Sequence, residues 1–217
     1  MTAVIFDIGG VLAYDVWENL LLDKSDGIAS LHGLDADLVG KVGKLLWNAF
    51  AYTPETRGND WRQLETRYWK SFIEFFWEKT PPDGVTVDAF VDMTDTFIRP
   101  VADMESVLED LRSRGYGLAI CSNNNEFWFR RQMDKLRLHR FFSPEKTILS
   151  CRIGVAKSSP GFEMFHAAAS SLGLEPSRCA FVDDRQGNVE RAKELGMQGF
   201  LFDNAGQLDD CLRKAGF

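Results

Sequence analysis

A short apolar run over 3–6 ends in Asp7, and Gly9 and Gly10 follow almost at once. Such a run reads as a buried strand. In an open parallel α/β sheet, ligands bind beyond the carboxyl ends of the strands, so a carboxylate at that point is placed for chemistry. Glycines beside it leave room for backbone to approach a phosphate or a metal. Three more positions repeat this placement: Ser122-Asn123, Lys157 and Asp183-Asp184. Each alone has an ordinary reading. A strand-end aspartate caps helices and forms turns, a serine closes turns, a lone lysine is a solvated surface residue, and paired aspartates can be a loop. Brought to one edge of one sheet, they become two carboxylate sites, a hydroxyl and an ammonium within reach of the same ligand.

The elements that would bring them together are legible in the pattern. Strands are expected over 117–121, 147–149, 180–182 and 199–202, alternating with helices over 103–114, 126–136, 161–172, 189–195 and 209–215. This alternation implies βαβ crossovers and a parallel sheet, to which the 3–6 strand belongs. Residues 13–98 differ. They hold Trp17, Trp47, Trp61, Trp69 and Trp77, five of the six tryptophans, and show helical periodicity without clear strands. One expected apolar stripe is Leu38, Val42, Leu45, Leu46 and Ala49. Another is Trp61, Leu64, Tyr68, Trp69, Phe72 and Phe75. Pro81-Pro82-Asp83-Gly84 is a break. The segment reads as a bundle of about four helices inserted after the first strand.

Composition narrows the function classes. A chain of 217 residues is ample for one core plus a small second domain. A net charge of −7 argues against nucleic acid or an anionic membrane as main partner. No apolar run approaches the ~20 residues of a membrane span, and the first residues lack the basic region of a signal peptide. Cys121, Cys151, Cys179 and Cys211 form no CxxC pair and read as reduced thiols of a cytoplasmic protein. His32, His139 and His166 are scattered and read as structural or surface residues.

The whole set resembles the haloacid dehalogenase superfamily, over nearly the full length. Asp7 matches its nucleophile, Ser122 the hydroxyl of its second motif, Lys157 (with Pro160 after it) the third, and Asp183-Asp184 followed by Asn188 the fourth. The resemblance implies an α/β fold, a doubly wound, Rossmann-like parallel sheet formed by 1–12 and 99–217, with 13–98 as an inserted helical cap domain. It implies a hydrolase that uses Mg²⁺, with Asp7, the Gly9 backbone carbonyl, Asp183 and Asp184 around the ion. Ser122, Asn123 and Lys157 would bind a small phosphorylated metabolite. The chemistry follows from residue types. Aspartate is a competent nucleophile toward phosphorus and gives an aspartyl-phosphate that water hydrolyses. Magnesium takes oxygen ligands and links carboxylates to phosphate, and Lys157 adds positive charge at the transferring group. Asn188 either orients an aspartate or caps the helix expected from 189.

Two departures stand out. Phosphatases of the family commonly carry a general-acid aspartate two residues after the nucleophile, and here that residue is Gly9. A positioned acid is worth roughly 10²–10⁴ in rate. Its loss points to a good leaving group, as in the small sugar-phosphate phosphatases whose Asp-x-Gly and Ser-Asn-x-Asn stretches Asp7-Ile8-Gly9 and Ser122-Asn123-Asn124-Asn125 resemble, or to a replacement such as Asp15 or Glu55. The second is Ser158, where the family usually has proline. Substrate selection is expected near the polar break 53–60, with Trp47, Tyr52, Arg57 and Trp61 around it. The alternatives are a 2-haloacid dehalogenase using the same aspartate on carbon, which Asp183-Asp184 argues against, and a non-catalytic binding protein of the same fold.

Overall fold

A computed structural model describes residues 2–54 and 60–217. Its centre is a five-stranded, all-parallel sheet of β1 (Ala3–Phe6), β2 (Gly117–Ser122), β3 (Thr147–Leu149), β4 (Cys179–Asp183) and β5 (Gln198–Leu201). The strand order is β3-β2-β1-β4-β5. Every residue of β1, β2 and β4 is buried, which is why these strands read as apolar runs rather than alternating ones. Successive side chains still face opposite sides. Val4, Phe6, Leu118 and Ile120 pack with Val107 and Leu111 of α6 (Met104–Ser113) and Leu208 and Leu212 of α11 (Ala205–Lys214). Ile5, Ala119 and Phe181 pack on the other face with Phe165 of α9 (Glu163–Ser171) and Ala192 of α10 (Gln186–Glu194). The chain winds outward from β1 on both sides, so β1 lies at the switch point where such sheets form a crevice.

Among the described residues, five helices come between β1 and α6: α1 (Val16–Leu22), α2 (Ile28–Leu31), α3 (Ala36–Ala51), α4 (Trp61–Trp77) and α5 (Val87–Phe97). Asp15, Asp35, Asp60 and Thr86 cap α1, α3, α4 and α5 by accepting backbone N–H bonds. Their core gathers Leu20, Leu21, Val42, Tyr68, Trp69, Phe72 and Phe90. It also takes Phe127 and Trp128 from α7 (Glu126–Lys135), which belongs to the β2–β3 crossover. Arg131 of α7 reinforces the join with a fork of hydrogen bonds to buried Glu65 (2.7–2.9 Å) and one to Asp95 (2.9 Å). The Ser150 hydroxyl, in α8 (Ser150–Ile153), donates to the carbonyl of Ala51 at 2.6 Å.

The expected stripes are partly misplaced. Leu38, Leu45 and Phe75 are exposed, while Val39, Gly43 and Phe50 of α3 face inward. The reason lies in close packing: a Cβ on Gly43 would sit 2.3 Å from Leu21 Cδ1, so α1 approaches α3 over a glycine that hydrophobicity does not mark. Helices α10 and α11 begin several residues before the expected 189 and 209. Among the described residues, no helix is long and apolar enough to cross a membrane.

Candidate active site

Asp7 leaves β1 with its backbone N–H bonded to the Val182 carbonyl (2.9 Å), which ties it to β4. Its Oδ1 accepts from the Ile8 N–H at 2.7 Å. Its Oδ2 lies 2.8 Å from Lys157 Nζ. The same ammonium donates to Asp183 Oδ2 at 2.5 Å. Lys157 is fully buried, as is Asp183. A lysine is almost never buried unless paired, and this one is bracketed by two carboxylates from neighbouring strands. Asp183 is otherwise saturated: Oδ1 accepts from the Arg185 N–H (2.9 Å) and from Asn188 Nδ2 (3.0 Å), which also reaches Oδ2 (3.1 Å). Asn188 sits inside the first turn of α10, so the capping role is overturned and it orients an aspartate instead.

Asp184 joins from the adjoining loop. Single carboxylate oxygens of Asp7, Asp183 and Asp184 all lie within 4.8 Å of one another. Gly10 has φ +75°, and a Cβ there would fall 2.4 Å from Asp184 Oδ2. Only glycine satisfies both the left-handed backbone and the carboxylate's approach. Gly9 lines the pocket together with Asp7. Ser122 ends β2 and is buried. Asn123 lines the pocket, and its Oδ1 accepts from the Lys157 backbone N–H at 2.9 Å, fixing the loop that carries the lysine.

The electrostatics are those of a site short of positive charge. Burial raises the Asp7 pKa from 3.8 to about 6. Lys157 opposes this, Asp183 adds to it, and Ser122 opposes it weakly. Burial acts against the Lys157 charge too, but Asp183 and Asp7 outweigh it and hold its pKa above the ordinary lysine range. Burial and Asp183 raise Asp184. Cys121, one residue before Ser122, is pushed up to about 12 chiefly by burial and is no thiolate nucleophile.

Above this edge lies a pocket of about 260 Å³. The strand ends and the loops beyond them contribute Asp7, Gly9, Ser122, Asn123 and Lys157, and the helical segment contributes Asp15, Trp17, Lys44, Trp47 and Tyr52. Trp128 and Gln132 of α7 close one side. Trp61 faces a different hollow beside Glu126 and Phe129. Trp47 and Tyr52 are the expected selectors that line it; Lys44, Trp128 and Gln132 line it without any signal in the sequence. Nothing in one sequence distinguishes such helix positions from other polar or aromatic ones. Arg57 and Glu55 lie outside the described residues.

Comparison with known proteins bears on the family and the fold. The family profile of haloacid dehalogenase-like hydrolases matches residues 1–196. Flavin mononucleotide hydrolase 1 of Arabidopsis thaliana is 35% identical over 105 residues, 48% of this chain and 41% of the relative. A glyceraldehyde 3-phosphate phosphatase of Methanothermobacter thermautotrophicus is 29% identical over 105 residues, 48% of this chain and 45% of the relative. The match spans about half the length of these curated relatives. A haloacid dehalogenase-family enzyme of Bacteroides thetaiotaomicron, solved with magnesium and inorganic phosphate, shares the fold with a TM-score of 0.65 at 20% identity, over 94% of this chain and 96% of that one. The chain belongs to the haloacid dehalogenase-like hydrolase family.

Proposed function

We propose that this family member is a Mg²⁺-dependent phosphomonoesterase acting on a compact phosphorylated metabolite, a sugar phosphate being the favoured class. The observation that carries the reading is the buried Lys157 ammonium bridging Asp7 and Asp183 beneath a pocket, with Asp184 alongside. The donor set suits the ion: the ligands are hard oxygens, and three clustered carboxylates face one buried ammonium. Asp7, Asp183, Asp184 and the Gly9 carbonyl would hold Mg²⁺, which supplies the positive charge that lets an anionic nucleophile meet an anionic phosphate.

The chain's own groups do the rest. An Asp7 carboxylate oxygen attacks phosphorus, the ester P–O bond breaks, and the leaving group departs with its electron pair. Lys157 stays against the nucleophile, and the Ser122 hydroxyl and Asn123 bind phosphoryl oxygens. Water then cleaves the aspartyl-phosphate and restores Asp7. Asn188 and the Arg185 N–H keep Asp183 from rotating, so the charge that stabilises the transition state is in place beforehand. In this reading the 13–98 segment is a cap. It shields the site from water and presents Trp17, Lys44, Trp47 and Tyr52 to the part of the substrate that leaves. The pocket volume favours a metabolite of sugar-phosphate size. The family match and the phosphatase relatives support the reaction class.

The test is phosphate release from a panel of phosphorylated metabolites, with Mg²⁺ and with chelator, in wild type and Asp7→Asn. Release that needs both the metal and Asp7 supports the reading. Release that persists with chelator or in the variant refutes it.

A further inference from the structure

Gly9 leaves no side chain two residues after the proposed nucleophile Asp7, and Asp15 faces that space. A Cβ built on Gly9 meets one described atom within 4 Å outside its chain neighbours, Asp15 Oδ2 at 3.9 Å. That carboxylate comes from the first residue before α1 and lines the same pocket as Asp7. Its two oxygens have different duties. Oδ1 accepts from the Glu18 N–H at 3.1 Å and caps α1, which fixes the rotamer. Oδ2 accepts a long bond from Arg185 Nη2 (3.4 Å), whose side chain is 63% exposed, and is the Asp15 atom nearest the space beside Gly9. The capping bond thus aims one carboxylate oxygen at the space a side chain on residue 9 would fill.

We propose that Asp15 is the catalytic base of the second half-reaction, activating the water that hydrolyses the Asp7 aspartyl-phosphate. The proposal rests on the phosphatase reading above. A carboxylate in this position can take a proton from water, whereas it has none to give to a leaving group. In the step, the water oxygen bonds to phosphorus while its proton passes to Asp15 Oδ2. The P–O bond to Asp7 breaks, and its electron pair returns to the Asp7 carboxylate. Inorganic phosphate leaves, and Asp15 releases the proton to solvent. The first half-reaction receives no such help. Ester cleavage therefore slows as the leaving-group pKa rises, while aspartyl-phosphate hydrolysis is the same for every substrate.

Asparagine caps a helix as well as aspartate, so Asp15→Asn keeps α1 capped and removes only the base. The experiment is rapid-mixing kinetics with p-nitrophenyl phosphate and Mg²⁺, a substrate whose leaving group needs no acid. Asp15→Asn should release about one p-nitrophenolate per protein in a burst. Its steady state should then fall roughly 10²-fold or more below wild type, with phosphate found on Asp7 by mass spectrometry of the quenched protein. Gly9→Asp added to Asp15→Asn should restore steady turnover, because residue 9 reaches the same space. Arg185→Gln should show no burst. Steady turnover of Asp15→Asn within about threefold of wild type overturns the proposal. So does loss of the burst together with turnover, which places Asp15 before ester cleavage. A burst in Arg185→Gln equal to that of Asp15→Asn assigns the effect to the ion pair and also overturns it. Those results leave an active, Asp7-dependent wild type, whereas a wild type that is inert with every phosphoester, Mg²⁺ present, brings down the phosphatase reading itself.

Discussion

The charge deficit around Asp7 makes a prediction about stability that runs opposite to its effect on activity. Replacing Asp7 with Asn should abolish turnover yet stabilise the metal-free protein at neutral and alkaline pH. In the folded wild type the Asp7 pKa is about 6 against an ordinary 3.8, because burial and Asp183 outweigh Lys157. One pKa unit corresponds to about 1.4 kcal/mol, so ionising Asp7 costs the fold on the order of 3 kcal/mol. The sign follows from linkage. A raised folded pKa means that the folded form holds the proton more tightly, so stability is full below about pH 4, falls as pH rises to about 6, and is level beyond that. Asparagine has no proton to lose and lacks this slope. Urea unfolding of both proteins in chelator, from pH 4 to 8, should show the difference (variant minus wild type) growing by about 3 kcal/mol across that window. Saturating Mg²⁺ should then stabilise wild type more than the variant, since Asp7 is one of the proposed ligands. A difference that is flat with pH, or that shrinks as pH rises, would refute the reasoning. It would mean that Lys157 and Ser122 already neutralise Asp7, leaving no deficit for a cation to fill.

Two further substitutions probe the same cluster. Lys157→Met should lower stability by about 3–5 kcal/mol at neutral pH, because it leaves two buried carboxylates without their ammonium, and the loss should shrink toward pH 4 in the same urea assay. Asn188→Ala removes both bonds that orient Asp183 and should weaken Mg²⁺ binding roughly 10–100-fold by calorimetry, with the unfolding midpoint in chelator nearly unchanged.

The sheet was easy to read because both its faces are covered, so β1, β2 and β4 appear as uninterrupted apolar runs with polar residues only at their carboxyl ends. The same geometry made Asp7, Ser122 and Asp183 visible as strand-end residues. Lys157 is legible from its position after a predicted strand, but its burial is not, because it lies on a loop whose backbone N–H is held by Asn123 Oδ1. The inward face of α3 was misread because its closest contact runs over Gly43. The starts of α10 and α11 were missed because Gln186-Gly187-Asn188 and Ala205-Gly206-Gln207 carry no apolar period to announce a helix. The roof of the pocket was least legible: Lys44 and Trp17 come from separate helices that only tertiary packing brings together.

The sharing of Phe127 and Trp128 between α7 and the inserted helices has a kinetic consequence. Lifting those helices off the sheet as a rigid lid would expose both aromatic rings and separate Arg131 from Glu65. Exposing the two side chains alone costs about 3–6 kcal/mol, so at about 1.4 kcal/mol per tenfold between roughly one molecule in a hundred and one in twenty thousand would stand open at any instant. A rigid lifting of these helices is thus opposed by the same aromatic packing that builds their core, and local movement of single pocket side chains such as Lys44 costs far less.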